Sequence, residues 1–189
     1  MAPRRTGAGV VVVGASLGGL RTAQELRAAG CEDPITLVGE ETEPPYDRPP
    51  LSKQLLAGSK DPADVHLADP QHLADEEIRL LLGRRAMSLA TREVVLDDGE
   101  RIPYSRLVIA TGVSARTLGD RGGDGCVHVL RTLPDAMRLR SALETAGHLV
   151  VVGAGFIGAE VATVARRRGI DGHRHRVPCG VRDGHRDTD

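Results

Sequence analysis

Apolar positions along the chain follow two periods. Val10 to Val13 is an unbroken β-branched run closed by Gly14, after which Leu20, Ala23, Leu26 and Ala29 recur at helical spacing up to Gly30. Ile35 to Gly39 is a second apolar run. Strand, tight turn, helix and strand in that order predict a βαβ unit. Because both runs are apolar throughout, not alternating, they predict strands covered on both faces of a parallel sheet.

From Glu40 to Pro50 proline and charge are crowded together, which excludes a helix interior or a central strand and predicts an ordered surface loop or a binding loop. Residues 51 to 77 read as short helices and Ile78 to Leu82 as a strand. Arg84 to Ile102 reads as a small antiparallel excursion turning at Asp97-Asp98-Gly99. Leu107 to Ala110 reads as another buried strand, ending at Thr111-Gly112, and Gly119 to Gly125 as a mobile glycine-rich segment. Pro134 to Ala146 is helical by its spacing. His148 to Val152 reads as a strand, followed by Gly153-Ala154-Gly155-Phe156-Ile157-Gly158 and a helix through Arg168. The strand-glycine-helix pattern thus occurs twice. After Gly169 neither period is visible: Arg, His, Asp and Gly dominate, and an unpacked tail is expected over 170–189.

Composition narrows the function. The 189 residues, 20.1 kDa with 40% hydrophobic content, amount to one ordinary domain or a large domain with part of another. Three aromatic residues (Tyr46, Tyr104, Phe156) and no Trp argue against a reader of single-stranded nucleic acid, which needs rings for bases to stack on. A net charge of −1 and a pI near 6.7 supply no field toward nucleic acid or an anionic membrane, so a small molecule or a neutral-to-acidic protein is the expected partner. Only Lys53 and Lys60 are lysines, which singles them out among the many arginines. Cys31, Cys126 and Cys179 are widely spaced without a Cys-x-x-Cys, which fits a reducing compartment. The first apolar run is too short for a signal peptide and none is long enough to span a membrane, so a cytoplasmic protein is expected.

The first turn, Gly14-Ala15-Ser16-Leu17-Gly18-Gly19, is a Gly-x-Gly-x-x-Gly pattern with Ser16 in the second glycine position. Such a turn lets backbone approach a pyrophosphate at a helix N-terminus. Glu40, just past the second strand, supplies the acid expected to accept hydrogen bonds from an adenosine ribose. The same letters spell the nucleophile elbow of an α/β-hydrolase, but too few residues precede Gly14 to build an oxyanion hole. The second turn has all three glycines and is the better local match. Two dinucleotide turns suggest a flavin paired with a nicotinamide; one nucleotide site plus one structural turn is the simpler alternative.

These segments carry a resemblance. Val10 to Gly19, Ile35 to Glu40, Pro45-Tyr46-Asp47-Arg48-Pro49-Pro50-Leu51-Ser52-Lys53, Ala110-Thr111-Gly112, Leu130-Arg131-Thr132-Leu133 and the second glycine turn resemble the FAD-dependent ferredoxin reductases of oxygenase systems. Their rubredoxin-reductase and apoptosis-inducing-factor relatives share this layout. The resemblance covers residues 8 to about 169 and is most specific in the Arg-Pro-Pro-Leu-Ser-Lys loop. It implies an α/β fold with a parallel-sheet, Rossmann-like FAD domain over 8–146, incomplete and with a small antiparallel insertion. The first part of an NAD(P)-binding domain follows over 147–169. It also implies electron transfer from NAD(P)H through FAD to a ferredoxin-like protein.

By the same resemblance Gly14, Ser16, Gly18 and Gly19 surround the FAD pyrophosphate and Glu40 takes the ribose. Arg48 and Lys53 lie along the flavin, Ala86 offers backbone to the adenine, Thr111 and Gly112 close over the cofactor, and Arg131 contacts it. Gly153, Gly155, Ile157 and Gly158 serve the nicotinamide nucleotide. Glu160 pairs with Lys53 near the flavin N5, an arrangement able to stabilise reduced flavin. The bland alternatives are a solvated first-turn acid and a surface lysine. Arg166, Arg167 and Arg168 read as cations favoured by a helix C-terminus. His173, His175 and Cys179 lack a fourth partner, and no metal site is expected.

Relatives of this type are about twice as long, and where they require a strand ending in an acid this chain reads Asp171-Gly172-His173-Arg174-His175-Arg176-Val177. Reverse translation one base out of frame permits Val-Thr-Val-Ile-Glu, so an inserted base near codon 171 or 172 is expected. A catalytically inactive nucleotide-binding remnant is the competing reading.

Overall fold

A computed structural model describes residues 8–115, 126–153 and 155–175. In chain order its elements are β1 (Gly9–Val13), α1 (Leu17–Ala28), β2 (Ile35–Val38), α2 (Gln54–Ala57), α3 (Pro70–Asp75) and β3 (Ile78–Leu81). There follow β4 (Ala86–Ala90), β5 (Glu93–Leu96), β6 (Arg101–Ile109), α4 (Leu133–Thr145), β7 (His148–Val152), α5 (Phe156–Arg167) and β8 (Asp171–His175). Short 3-10 turns at Pro49–Ser52 and Pro62–Val65 bracket α2.

Six strands form one sheet in the order β3-β2-β1-β6-β5-β4. β3, β2, β1 and the second half of β6 are parallel, while β4, β5 and the first half of β6 form an antiparallel extension. β1 is central, which is why its valines read as one apolar run: all four are buried. Val10 and Val12 pack with Leu20 and Ala23 of α1 and with Leu73 and Ile78, while Val11 and Val13 face Val94, Leu96 and Ile102. Burying such a side chain contributes roughly 1.5–3 kcal/mol each, so this strand anchors the fold. The chain leaves β1 toward β2 on one side and returns as β6 on the other. The crevice at the carboxyl edge of β1 is therefore a topological switch point.

β7 and β8 form a separate two-stranded parallel sheet with α5 between them. A cluster of Leu56, Leu139, Leu143, Val161, Val164, Ala165 and Ile170 packs α5 against α2 and α4. At the end of α5 the Arg168 guanidinium donates to Leu56 O at 2.7 Å and to Arg140 O at 3.4 Å.

Two expectations require correction. The tail does not begin at residue 170: Ile170 is buried, and Asp171–His175 pairs in parallel register with His148–Val152. The polar residues gave no period, but ladder pairing uses backbone groups, and the edge of β7 offers an unpaired row of them. Residues 176–189, including Cys179, lie outside the described residues, as does the whole of the glycine-rich 119–125 segment. The strand expected at Leu107–Ala110 is the end of a longer one, and it is less buried than its sequence suggests. Ile109 is 66% exposed, because nothing among the described residues covers that end of β6.

Candidate functional site

Gly14 ends β1 with φ +116, a conformation L side chains rarely adopt, and a Cβ there would lie 2.1 Å from Ala110 O on the neighbouring strand. A Cβ on Gly19 would lie 1.9 Å from Gly14 O, so this glycine lets α1 sit directly on the turn. Ser16 is the N-cap residue of α1 but makes no side-chain cap hydrogen bond. The first-turn N–H groups therefore face the crevice without a side-chain acceptor, the arrangement that attracts an anion.

A cleft of about 530 Å³ opens at this edge, within the range of small-molecule sites. Gly14, Ser16, Glu40, Arg48, Ala86, Thr111 and Arg131 all line it. Glu40 stands two residues past the end of β2, and its carboxylate faces Arg85 Nη1 at 3.6 Å. Gly18 and Gly19 lie behind the turn on α1. Gly112 stands beside the cleft, where a Cβ would meet Arg131 Nη2 at 3.3 Å.

A second cleft of about 290 Å³ adjoins it, lined by Arg48, Ser52, Lys53, Arg131, Phe156, Ile157 and Glu160 among others. Arg48 and Arg131 are common to both walls. Lys53 Nζ is 3.0 Å from Glu160 Oε1, so residues far apart in sequence meet as a pair. Ser52 Oγ donates to Glu160 Oε2 at 2.5 Å. The Ser52 hydrogen bond, followed by that of Lys53, holds the Glu160 carboxyl below its usual range. Gly153, Gly155 and Gly158 line neither cleft.

Arg48 is itself held from several sides. Nη2 donates to Glu41 Oε1 at 2.7 Å, and Nη1 donates to Arg131 O at 2.6 Å and to the Tyr46 hydroxyl at 3.3 Å. Tyr46 is buried; its hydroxyl donates to Glu41 Oε2 and accepts the Leu133 N–H at 2.9 Å. Burial first, and then the bond to Glu41, raise its pKa well above the ordinary phenol value. The proline-rich loop is thus drawn into the core through Tyr46 and Leu51.

Thr132 caps α4 in a reciprocal capping box with Asp135. Burial alone would raise the Asp135 carboxyl, but hydrogen bonds from Thr132 and Arg131 and the Arg138 charge outweigh it and hold it low. Glu41, Tyr46, Ser52 and Asp135 are the functional neighbours that sequence reasoning missed. Only Asp135 had a readable signal, its place three residues after Thr132. The other three act through contacts that no spacing announces.

These groups fit the dinucleotide that the resemblance implies. The N-terminus of α1, without a side-chain cap, lines the cleft through Ala15 and Ser16, and an acid stands past the end of β2. The buried Arg48 Nε has no hydrogen-bond partner in the structure. That is a donor set suited to an anionic diphosphate, with an acceptor suited to ribose hydroxyls.

Comparison with known proteins agrees. The family model described as pyridine nucleotide-disulphide oxidoreductase matches residues 8–177. The chain is 42% identical over 161 residues to the ferredoxin–NAD(+) reductase component of the biphenyl dioxygenase system of Paraburkholderia xenovorans, covering 84% of this chain and 39% of that protein. It is 42% identical over 162 residues to putidaredoxin reductase CamA of Pseudomonas putida, covering 82% and 38%. Among solved structures, the covalent putidaredoxin reductase–putidaredoxin complex matches with a TM-score of 0.83 at 38% identity, over 87% of this chain and 41% of that one. The NADH:rubredoxin oxidoreductase of Clostridium acetobutylicum shares the fold at a TM-score of 0.78 and 24% identity, over 88% of this chain and 43% of that one. The chain spans about two fifths of the length of these curated relatives.

Proposed function

The chain belongs to the pyridine nucleotide-disulphide oxidoreductase family, and on that premise we propose that it holds FAD and passes electrons from NAD(P)H to a ferredoxin-like protein. Two of its relatives are named as ferredoxin–NAD(+) and putidaredoxin reductases, which supports this reading. The observation that carries it is the junction of the two clefts. The glycine-turn crevice and the Lys53–Glu160 pair share the Arg48 and Arg131 walls, so one elongated molecule can touch both.

In this reading Gly14 and Ser16 bring backbone to the FAD pyrophosphate, while Gly18 and Gly19 set the helix behind it. Glu40 accepts from the ribose, Ala86 borders the adenine, and Thr111 and Gly112 close the rim. Arg48 and Arg131 supply cations at the junction, and Lys53 supplies one to the second cleft. Gly153, Gly155, Ile157 and Gly158 form the nicotinamide-side turn. Bound FAD would supply a hydride acceptor that can release electrons singly. Residues 8–146 are then the FAD-holding unit, and the NAD(P)-side unit begins at 147.

A second reading, nucleotide binding without turnover, is favoured by β8. That strand ends in His175, where a carboxylate for the nicotinamide ribose is the usual partner. An inserted base near codon 171 or 172 would account for that sequence, and the coding DNA on both sides tests it. Among the described residues no helix is long and apolar enough to cross a membrane. The cytoplasmic placement rests on the cysteine spacing.

The test is the visible spectrum of the purified chain titrated with FAD and then with NADH under anaerobic conditions. A flavin spectrum bleached by NADH supports the reductase. A bound flavin that dithionite reduces but NADH does not supports the binding remnant. No saturable FAD binding overturns both.

A further inference from the structure

Ser52 and Asp135 are the two polar or charged residues that are buried among those described, at 5% and 7% exposure. Asp135 is explained by the α4 cap. Ser52 is not explained by the fold. It ends the Pro49–Ser52 turn, next in sequence to the buried Leu51, and stands on the wall of the second cleft with little of it exposed. A buried hydroxyl is costly unless its O–H finds an acceptor, and the Ser52 hydroxyl donates to Glu160 Oε2 at 2.5 Å.

The consequence falls on Lys53. Its side chain is 46% exposed, and an ion pair between exposed, flexible groups is worth about 0–1 kcal/mol, too little to fix one geometry. Hydrogen bonds to an ionised acceptor are roughly twice as strong as neutral ones, and this one comes from a rigid, buried donor. With Oε2 anchored by Ser52, Glu160 presents Oε1 to Lys53 Nζ from a fixed position. Lys53 gains a further weak contact to Pro49 O at 3.4 Å. Arg48 and Arg131, which line the same cleft, are the other charged groups facing the pair.

We propose that Ser52 is the positioning residue of the Lys53–Glu160 pair, anchoring one carboxylate oxygen of Glu160 so that the other meets Lys53 Nζ in a fixed place at the second cleft. The direction in which the Glu160 carboxyl is displaced agrees. The inference deepens the FAD reading and rests on it for its effect on flavin, but not for its effect on Glu160.

The experiment uses the full chain with ¹³C-labelled glutamate, as Ser52→Ala and Ser52→Thr variants, each titrated by carboxyl NMR with and without FAD. Without FAD, Ser52→Ala should move the Glu160 titration upward and Ser52→Thr should leave it near that of the parent. With FAD, Ser52→Ala should make the midpoint potential more negative and Ser52→Thr should restore it. An unmoved Glu160 titration in Ser52→Ala overturns the proposal. A moved titration with an unmoved potential overturns its bearing on the flavin. If FAD does not bind the parent chain, the function reading fails while the NMR arm still decides the role of Ser52. Should Ser52→Ala not fold, Ser52→Cys, similar in volume and weaker as a donor, is read by the same criteria.

Discussion

The two glycine turns share a spelling, a positive φ at the first glycine and a crowded last glycine, where a Cβ on Gly158 would lie 2.9 Å from Val151 Cγ1, yet they differ in how far the first glycine and its strand are enclosed. At the first, a Cβ on Gly14 or Gly19 would strike backbone at 2.1 and 1.9 Å, and the strand before it is buried on both faces. At the second, a Cβ on Gly153 or Gly155 meets nothing within 4 Å among the described residues, and Val150 and Val152 are 58% and 49% exposed. Yet the second is the better match by letters, and the first has a serine where the motif asks for glycine. A motif records what the backbone must do locally. Whether that backbone encloses anything depends on the strands beside it, and among the described residues β1 has β2 and β6 where β7 has β8 alone.

The sharpest way to break this comparison is to put the same methyl group into both turns. Gly14→Ala combines an unfavourable positive φ with a steric collision on the Ala110 carbonyl, a collision that no described residue offers at Gly153. It should cost about 3 kcal/mol or more, a large fraction of the roughly 5–15 kcal/mol by which domains are stable. Gly153→Ala has the positive φ without the collision and should cost about 1–2 kcal/mol. Urea denaturation of both variants gives the difference; equal losses would mean that the second turn is as enclosed as the first.

A somewhat smaller effect separates the two units. Leu56 is fully buried in the cluster that joins α2 and α4 to α5. Leu56→Ala should cost about 2–4 kcal/mol. Hydrogen exchange should accelerate in α5 and β7 while β1 stays protected. Exchange that rises equally in β1 would show that the two glycine turns belong to one cooperative unit.

Much of this was legible. The four valines of β1 and the apolar run of β2 announced buried parallel strands, and the turn, helix and acid at Gly14, Ser16 and Glu40 fell into one cleft because strand register fixes which residues share an edge. The Lys53–Glu160 pair came only from resemblance, since no local rule links residues so distant in sequence. The roles of Glu41 and Tyr46 were hidden for a related reason. Proline density identified a loop, but a loop's path is set by what its side chains find, here the Leu133 N–H and the Arg48 guanidinium. β8 was illegible because backbone pairing with β7 forms it, with no apolar alternation to announce it.

Asp135 sharpens the comparison from the segment between the turns, where its capping box orients α4 and receives the Arg131 N–H at 3.1 Å. Asp135→Asn should cost about 1 kcal/mol at neutral pH. The sign with pH follows from the lowered folded-state pKa. The stabilisation by the carboxylate is complete above the unfolded-state value and is lost as pH falls through the folded-state value, so parent and variant should converge in acid. Melting curves across that acid range check it; a gap that widens in acid would contradict the assignment.

The smallest effect tests the openness of the second turn most directly. Gly155 is the N-cap residue of α5 with φ −75 and extended ψ, and it is the counterpart of Ser16 at α1. Serine fits that backbone, nothing crowds its Cβ, and a serine at an N-cap is worth a few tenths of a kcal/mol over glycine. Gly155→Ser should therefore raise the melting temperature slightly, because a hydroxyl gains a first-turn N–H and displaces only water. The turn that looks better by its letters should thus accept the substitution that the other already carries. A loss of stability would mean instead that Gly155 backbone lies against another part of the protein, and the contrast between an enclosed turn and an open one would fall.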